Sequence, residues 1–363
     1  MYDNPHWQLA RTPPEGWPTD GDFRYEIEAA PDPGPNQALT RTLYLSLDPY
    51  QWGRRRGGIE VPGEVCHGRT VSQVTASRST VYREGDYIFN TNGWQTYGLV
   101  GEGVSHFNYM HPRQLDATLA PISTALGVLG MLGLTAYAGL VAQCKPQAGE
   151  TVVVSAASGG VGQVVGQIAS LLGCRVVGIA GAQHKCNFVR TELGFDSCVS
   201  HRAPNLRAAL TAACPDGVDI YFENVGGAVF EAVLPCFNHG ARISLCGMIS
   251  QYGNTDGKDA GEVWQAMGAA TFARQQMNVH RLFVGNYVDS HQAEFLERMG
   301  AWVGAGRIRY REDLSSGLEQ APAAFAAMLE GRNFGKTLVG VGDDPSLDSA
   351  TTLRRQSGNT LGG

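Results

Sequence analysis

The sequence is short of charge, and the little it has is not arranged for a charged partner. Asp, Glu, Lys and Arg make up 17% of its 363 residues and the formal net charge is −6, which offers a nucleic acid or an anionic membrane surface nothing to bind. Arg54-Arg55-Arg56 is the one basic run, and beside Gly57-Gly58 it is expected to be a solvated loop. Paired cysteines are missing as well. The eight cysteines stand at 66, 144, 174, 186, 198, 214, 236 and 246, none in C-x-x-C spacing, so they are expected to be reduced thiols of core and loops. The opening Met1-Tyr-Asp-Asn-Pro-His-Trp7 lacks the charged-then-apolar pattern of a secretory leader, and the expected compartment is the cytoplasm. Two uncharged runs, Ala117 to Cys144 and Thr151 to Cys174, are long enough to cross a bilayer. Both are rich in Ala and Gly rather than Leu, Ile and Phe, and the first holds Pro121, so buried elements of an α/β core are expected instead. No internal repeat is visible.

What is present is concentrated in Thr151-Val-Val-Val-Ser-Ala-Ala-Ser-Gly-Gly-Val-Gly162. A β-branched strand, Thr151 to Val154, enters a Gly-rich turn, and Val161, Val165, Ile168 and Leu172 then share one helix face. This is the strand, turn and helix of a dinucleotide-binding unit, in which glycines admit a pyrophosphate to the free N–H groups of a helix start. The fingerprint is degenerate: Ala157 stands at the first glycine position, before Gly159 and Gly162. The next strand, Arg175 to Ala180, ends in Gly181-Ala182-Gln183, with no carboxylate until Glu192 to hold a ribose 2′-hydroxyl. The loop carries His184 and Lys185 instead, followed by His201 and Arg202. Cations without a carboxylate suit a 2′-phosphate, so NADPH is expected rather than NADH.

The length implies two domains. Up to about residue 120, short β-type runs (Ala38 to Leu47, Thr70 to Val74, Asp86 to Phe89, Trp94 to Val100) alternate with Gly- and Pro-rich turns, as in a mostly antiparallel module. From about Thr124 helix and strand alternate. Val218 to Phe222 is expected as a strand, Ala228 to Phe237 as a helix ended by Gly240, and Arg242 to Cys246 as the next strand. The expected class is therefore α/β, a doubly wound parallel sheet with a second, antiparallel β domain. Residues 1–123 and 312–363 are assigned to the β domain, with 343–363 as a frayed tail, and 124–311 to the nucleotide-binding domain. Gly253 to Gly261 is expected as a mobile loop.

Five segments occur in a telling order: Gly130-Met-Leu-Gly-Leu-Thr-Ala-Tyr137, Ala156-Ala-Ser-Gly-Gly-Val-Gly162, Tyr221-Phe-Glu-Asn-Val-Gly-Gly227, Cys246-Gly-Met-Ile-Ser-Gln-Tyr252 and Asn333-Phe-Gly-Lys336. From about Thr40 to Val341 the chain resembles the zinc-independent medium-chain dehydrogenase/reductases. Within them it resembles the group of prostaglandin reductases, leukotriene B4 dehydrogenases and alkenal double-bond reductases. The resemblance implies a GroES-like substrate domain, an inserted Rossmann domain, an active site in the cleft, and a homodimer acting on a small molecule. It places Gly159, Gly160, Val161 and Gly162 on the pyrophosphate and Lys185 on the 2′-phosphate. Asn224, Cys246, Gly247, Met248, Ile249, Ser250, Gln251, Tyr252, Phe283, Val284, Gly285 and Asn333 would line the rest of the dinucleotide. Tyr252 would lie near the nicotinamide ribose and Tyr50 at the substrate pocket.

No metal is expected. Zinc-dependent relatives carry an early Cys ligand, where Leu45-Ser-Leu-Asp-Pro-Tyr50 offers none, and adjacent Cys66-His67 make a poor chelating pair. Without a Lewis acid, reduction of the C=C bond of an α,β-unsaturated carbonyl is the less demanding chemistry, because a neutral donor such as Tyr252 or Tyr50 suffices for the enolate charge. A quinone reductase of the same superfamily and a nucleotide-binding sensor without turnover are the alternatives. Three departures from the group stand out. His201 replaces a tyrosine on the 2′-phosphate, Gln51-Trp52 replaces Met-Arg after Asp48-Pro-Tyr50, and Gly253 replaces an Asn.

Overall fold

The computed structural model describes residues 2–106 and 110–347, so the expected tail lies outside the described residues from 348 onward. Two compact units form, Met1–Met131 with Arg311–Gly363, and Leu132–Tyr310. The first division falls after Met131 rather than after residue 123. The single turn Ile122–Leu126 is buried on the β sheet of the first unit, and Ser123 Oγ donates to Glu312 at 2.9 Å.

The first unit opens with β1 (Asp3–Leu9) and β2 (Phe23–Ala29), an antiparallel pair that sequence patterning alone did not single out. β3 (Gln37–Ser46) follows, then helix α1 (Tyr50–Arg56), β4 (Thr70–Ser77), β5 (Tyr87–Asn90), β6 (Tyr97–Gly101) and β7 (Arg113–Leu115). β3 pairs antiparallel with β4, with Leu45 opposite Thr70. That register folds the segment after β3 back toward the segment before β4.

Helix α2 (Met131–Tyr137) leads into the second unit, and no described helix is long and apolar enough to cross a membrane. Then come β8 (Thr151–Ser155), α3 (Gly162–Leu171), β9 (Arg175–Ala180), α4 (Gln183–Thr191), β10 (Ser197–Ser200), α5 (Leu206–Ala213), β11 (Val218–Glu223), α6 (Gly227–Val233), β12 (Phe237–Leu245), α7 (Ala260–Gln275), β13 (Asn278–Arg281) and α8 (Val288–Gly304). All six strands are parallel, in the order β10-β9-β8-β11-β12-β13. Numbered within the unit this is 3-2-1-4-5-6, the Rossmann order, with its switch point between β8 and β11. β8 is buried along its whole length, as its unbroken Thr-Val-Val-Val requires of a strand covered on both faces. One expectation fails here. Helix α6 stops at Val233, and Pro235, which lacks an N–H, holds only a short 3-10 turn before β12 begins at Phe237. Gly240, expected to end a helix, sits inside β12 at φ 73°, where the register against β11 slips.

The chain returns to the first unit with β14 (Glu312–Ser316), α9 (Ala321–Leu329) and β15 (Lys336–Gly340), giving the sheet order β14-β15-β3-β4-β5-β7, with β6 also on β3. Its core corrects a second expectation. The basic run is not a solvated loop but the last turn of α1, and Arg55 is fully buried. The Arg55 guanidinium lies 4.4 Å from the Trp94 ring and 4.8 Å from that of Phe325, and Nε meets Glu60 at 3.1 Å. An aromatic box and one carboxylate replace water around that charge. Replacing Arg55 with Met would leave the buried Glu60 carboxylate without its main counter-charge. A loss of about 3 kcal/mol or more is expected in denaturant unfolding; a loss within about 1 kcal/mol would mean the pair is worth no more than a surface one.

Candidate active site

In the second unit the expected cofactor residues gather at the carboxyl edge of the parallel sheet. Ser155 ends β8 and Glu223 ends β11, on the two sides of the switch point. Asn224 closes the gap: its side-chain amide donates to the Ser155 carbonyl at 2.7 Å, and its main-chain N–H to Ser155 Oγ at 2.8 Å. Beyond β8 the chain turns through Ala156, at φ 51°, into Gly159 and Gly162. A Cβ on Gly162 would stand 2.3 Å from the Ala156 carbonyl oxygen, so a side chain there has no room. Ala157, the substitute for the first glycine, packs on the backbone of Gly178 in β9, where a Cβ would approach the Ala157 methyl to 2.9 Å. The turn is thus pressed onto the sheet, and α3 starts at Gly162 directly after it, a helix start of the kind that can take an anion.

The cationic residues meet one strand over. His201 follows β10, and its main-chain N–H donates to Ala180, the last residue of β9. Its ring leans on the backbone just beyond, since a Cβ on Gly181 would lie 3.3 Å from His201 Nε2. Burial, Arg202 and Lys185 together push the His201 pKa below its ordinary 6.5, which places the buried Lys185 within electrostatic reach of the imidazole. No acidic side chain stands in Gly181-Ala182-Gln183.

Tyr252 is held by the loop that leaves β12. The Cys246 and Gly247 N–H groups both donate to the Glu223 carbonyl at 3.0 Å, and Ile249 N–H donates to the Asn224 carbonyl at 3.1 Å. The loop then curls so that the Tyr252 hydroxyl accepts from Met248 N–H at 3.4 Å. Burial raises its pKa, so it stays a phenol through the physiological range. Cys246 is likewise kept a thiol, its pKa pushed up to about 12 by burial and the nearby Glu223. Phe283 and Gly285 follow β13 at the same edge; Phe283 is exposed, while the Val284 side chain turns into the core.

Tyr50 and Asn333 belong to the other unit. Asn333 donates to the Gly335 carbonyl at 3.0 Å, bracing the turn before β15. Tyr50 starts α1 beside a buried ionic cluster: Asp48 meets Arg69 at 2.7 Å and Lys336 Nζ at 3.0 Å. Burial alone would raise the Asp48 pKa, but the two cations and the Ser46 hydroxyl hold it well below the usual carboxylate range. The Tyr50 hydroxyl lies 2.7 Å from His67 Nε2. Sequence reasoning named His67 only as a poor zinc ligand and gave Glu223 no role; a His three residues before a strand carries no signal of a partner 17 positions upstream. Cys66 and His67 are both buried, and His67 meets Tyr50. Among the described residues no three His, Cys, Asp or Glu side chains gather as metal ligands.

Two family models match, an N-terminal domain of oxidoreductase over residues 6–107 and a zinc-binding dehydrogenase over residues 160–301. The NADPH-dependent curcumin reductase of Escherichia coli is 42% identical over 94% of this chain and 98% of its own length. The NADP(+)-dependent 2-alkenal reductase of Nicotiana tabacum is 36% identical over 89% and 94%. Among solved structures, CurA from Vibrio vulnificus in complex with NADPH superposes with a TM-score of 0.85 at 41% identity, covering 94% of this chain and all of that one (100%). The chain belongs to the zinc-independent medium-chain dehydrogenase/reductases, in the group of curcumin, prostaglandin and alkenal reductases.

In the tight turn Gly162 has no room for even one added methyl. Gly162→Ala puts a methyl 2.3 Å from a backbone oxygen, so the turn or the start of α3 must shift. The expected cost is about 1–3 kcal/mol, read as a lower melting temperature together with weaker dinucleotide binding; unchanged values for both would refute this account of the turn.

Proposed function

We propose that this protein reduces the carbon–carbon double bond of α,β-unsaturated ketones or aldehydes, with NADPH as the reductant. It is an NADP-dependent oxidoreductase of the family just named. The glycine turn, with no room for a Cβ on Gly162, fits a pyrophosphate, and Lys185, His201 and Arg202 fit a 2′-phosphate. Asn224, the Cys246–Tyr252 loop, Phe283, Gly285 and Asn333 would hold the remainder. When bound, the nicotinamide supplies a hydride.

The observation that carries the reading is the placement of Tyr252. A phenol whose pKa burial has raised is fixed by Met248 N–H at the carboxyl edge of the sheet, where open α/β sheets take their ligands. Hydride arriving at the β-carbon leaves negative charge on the carbonyl oxygen. A fixed neutral donor answers that charge without the reorganisation that water would need. Tyr50, which stands next to Asp48 and Arg69, is the second candidate donor. Trp52 is buried, its indole N–H donating to the Gly16 carbonyl at 2.9 Å, so no cation stands at that position for a carboxylate-tailed substrate. Uncharged enals and enones are therefore the preferred class. The homodimer implied by the resemblance is part of the same proposal, and sedimentation velocity reads it.

NADPH consumption, with NADH as control, is measured on a linear enal, an aryl enone, a quinone and a saturated ketone. Turnover of the enal or enone with NADPH and none of the ketone is expected, and Tyr252→Phe lowers kcat by about 10²-fold with NADPH affinity nearly intact. Preference for the quinone would move the protein to quinone reduction; tight NADPH binding with no turnover would make it a sensor. Full turnover by Tyr252→Phe would remove that residue from the mechanism. Cofactor affinity should also follow pH. The His201 pKa is depressed in the free protein, and a phosphate dianion beside it raises the pKa, so binding draws in a proton. NADPH affinity is expected to weaken from pH 6 to pH 8, with a smaller slope in His201→Asn; equal slopes in the two proteins would exclude His201 from the phosphate site.

A further inference from the structure

The contact between Tyr50 and His67 has no part in the reading above. The hydroxyl stands 2.7 Å from Nε2 and the rings meet edge to face, 5.9 Å between centroids. His67 is buried, and its backbone is fixed from both sides. Its N–H donates to Glu60 at 3.1 Å, and its carbonyl accepts from the Gln51 amide at 3.1 Å and from Arg55 at 3.5 Å. The same Gln51 accepts from Asp48 N–H at 3.0 Å, so one side chain ties the segment bearing Tyr50 to the segment bearing His67. Burial and the cations Arg69, Arg54 and Arg55 outweigh Asp48 and keep the imidazole pKa well below its ordinary value. The ring is neutral at pH 7, with one nitrogen a donor and the other an acceptor. His67 is also among the residues that line a cavity of about 120 Å³, with Arg54, Glu60, Thr91 and Asn92.

We infer that His67 is a positioning residue for Tyr50: its Nε2–H donates to the phenol oxygen, turns the Tyr50 O–H toward the substrate, and restores the proton that Tyr50 gives up. This rests on the enone-reductase reading. Hydride adds to the β-carbon with its electron pair, and the displaced π pair becomes the enolate. A C–H bond forms at the α-carbon as the Tyr50 O–H bond breaks. The Nε2–H bond of His67 then breaks to restore the phenol, while Nδ1 takes a proton from water. One hydride and one solvent proton are consumed per double bond, and exchange with water returns the ring to its first tautomer.

The test uses the full-length protein with saturating NADPH and the enal or enone it turns over. His67→Ala is expected to lose about tenfold or more in kcat with NADPH binding unchanged, and millimolar imidazole should restore part of the loss. The solvent deuterium isotope effect on kcat should rise in the variant, because proton delivery then limits the rate. A merely structural role would answer to neither imidazole nor D2O. A kcat within about twofold of wild type, or a loss that imidazole and D2O leave unmoved, overturns the inference. Should His67→Ala fail to fold, ¹⁵N spectra of histidine-labelled wild type decide the matter: a neutral Nε2–H tautomer from pH 6 to 8 is expected, and a charged ring or an Nδ1–H tautomer overturns it. Wild type that turns over no electrophile sinks the reductase reading, whereas active wild type with unimpaired variants sinks only the role of His67.

Discussion

Five donors close on the carboxylate of Glu223, and the carboxyl edge of the parallel sheet depends on them. Ser155 Oγ, the Tyr221 hydroxyl and the N–H groups of Val225 and Gly226 reach one oxygen at 2.8–3.0 Å, and the Trp264 indole reaches the other at 3.2 Å. The side chain is fully buried, and burial raises its pKa against the pull of those donors. A half-satisfied group in that position would be costly, so the network forms as a unit or not at all. It holds β8 to β11 across the switch point, and the carbonyl of the same residue anchors the loop that carries Tyr252. The geometry of the loop that carries Tyr252 is therefore inherited from a fully buried residue.

The first unit solves the parallel problem with charge. Asp48 is buried among Arg69, Lys336 and Ser46, and two cations hold it ionised where Glu223 has only neutral donors. Such a cluster adds little net stability, because desolvation offsets the attraction. It does specify direction. Lys336 also donates to the Leu47 carbonyl at 2.6 Å, so β15 from the far end of the sequence fixes the segment that presents Tyr50. Each unit thus places one tyrosine by means of one buried carboxylate, by neutral hydrogen bonds in one case and by ion pairing in the other.

Legibility in the sequence followed the range of the interactions. The strands around Thr151, Arg175 and Val218 stood out because a strand buried on both faces needs an unbroken β-branched run, which is a local requirement. The glycine turn was equally local. Misreadings arose where a distant partner reversed a local preference. Arg54-Arg55-Arg56 beside two glycines looks solvated until Trp94 and Phe325, brought from elsewhere in the chain, enclose Arg55. Gly240 looks like a helix stop until β11 pairs with β12 and the bulge requires its positive φ.

By itself the sequence determined the class of the protein: two kinds of domain, a degenerate dinucleotide turn, a cationic loop lacking a carboxylate, and the family those motifs share. Periodicity and backbone chemistry are properties of neighbouring residues, and they survive without a fold. Tertiary structure alone decided which side chains face one another. His67 meets Tyr50 because β3 and β4 pair with Leu45 opposite Thr70, and His201 reaches the end of β9 because β10 lies beside it. Strand register places those atoms within hydrogen-bond distance, and register is set by the packing of whole sheets, which no short window of sequence contains.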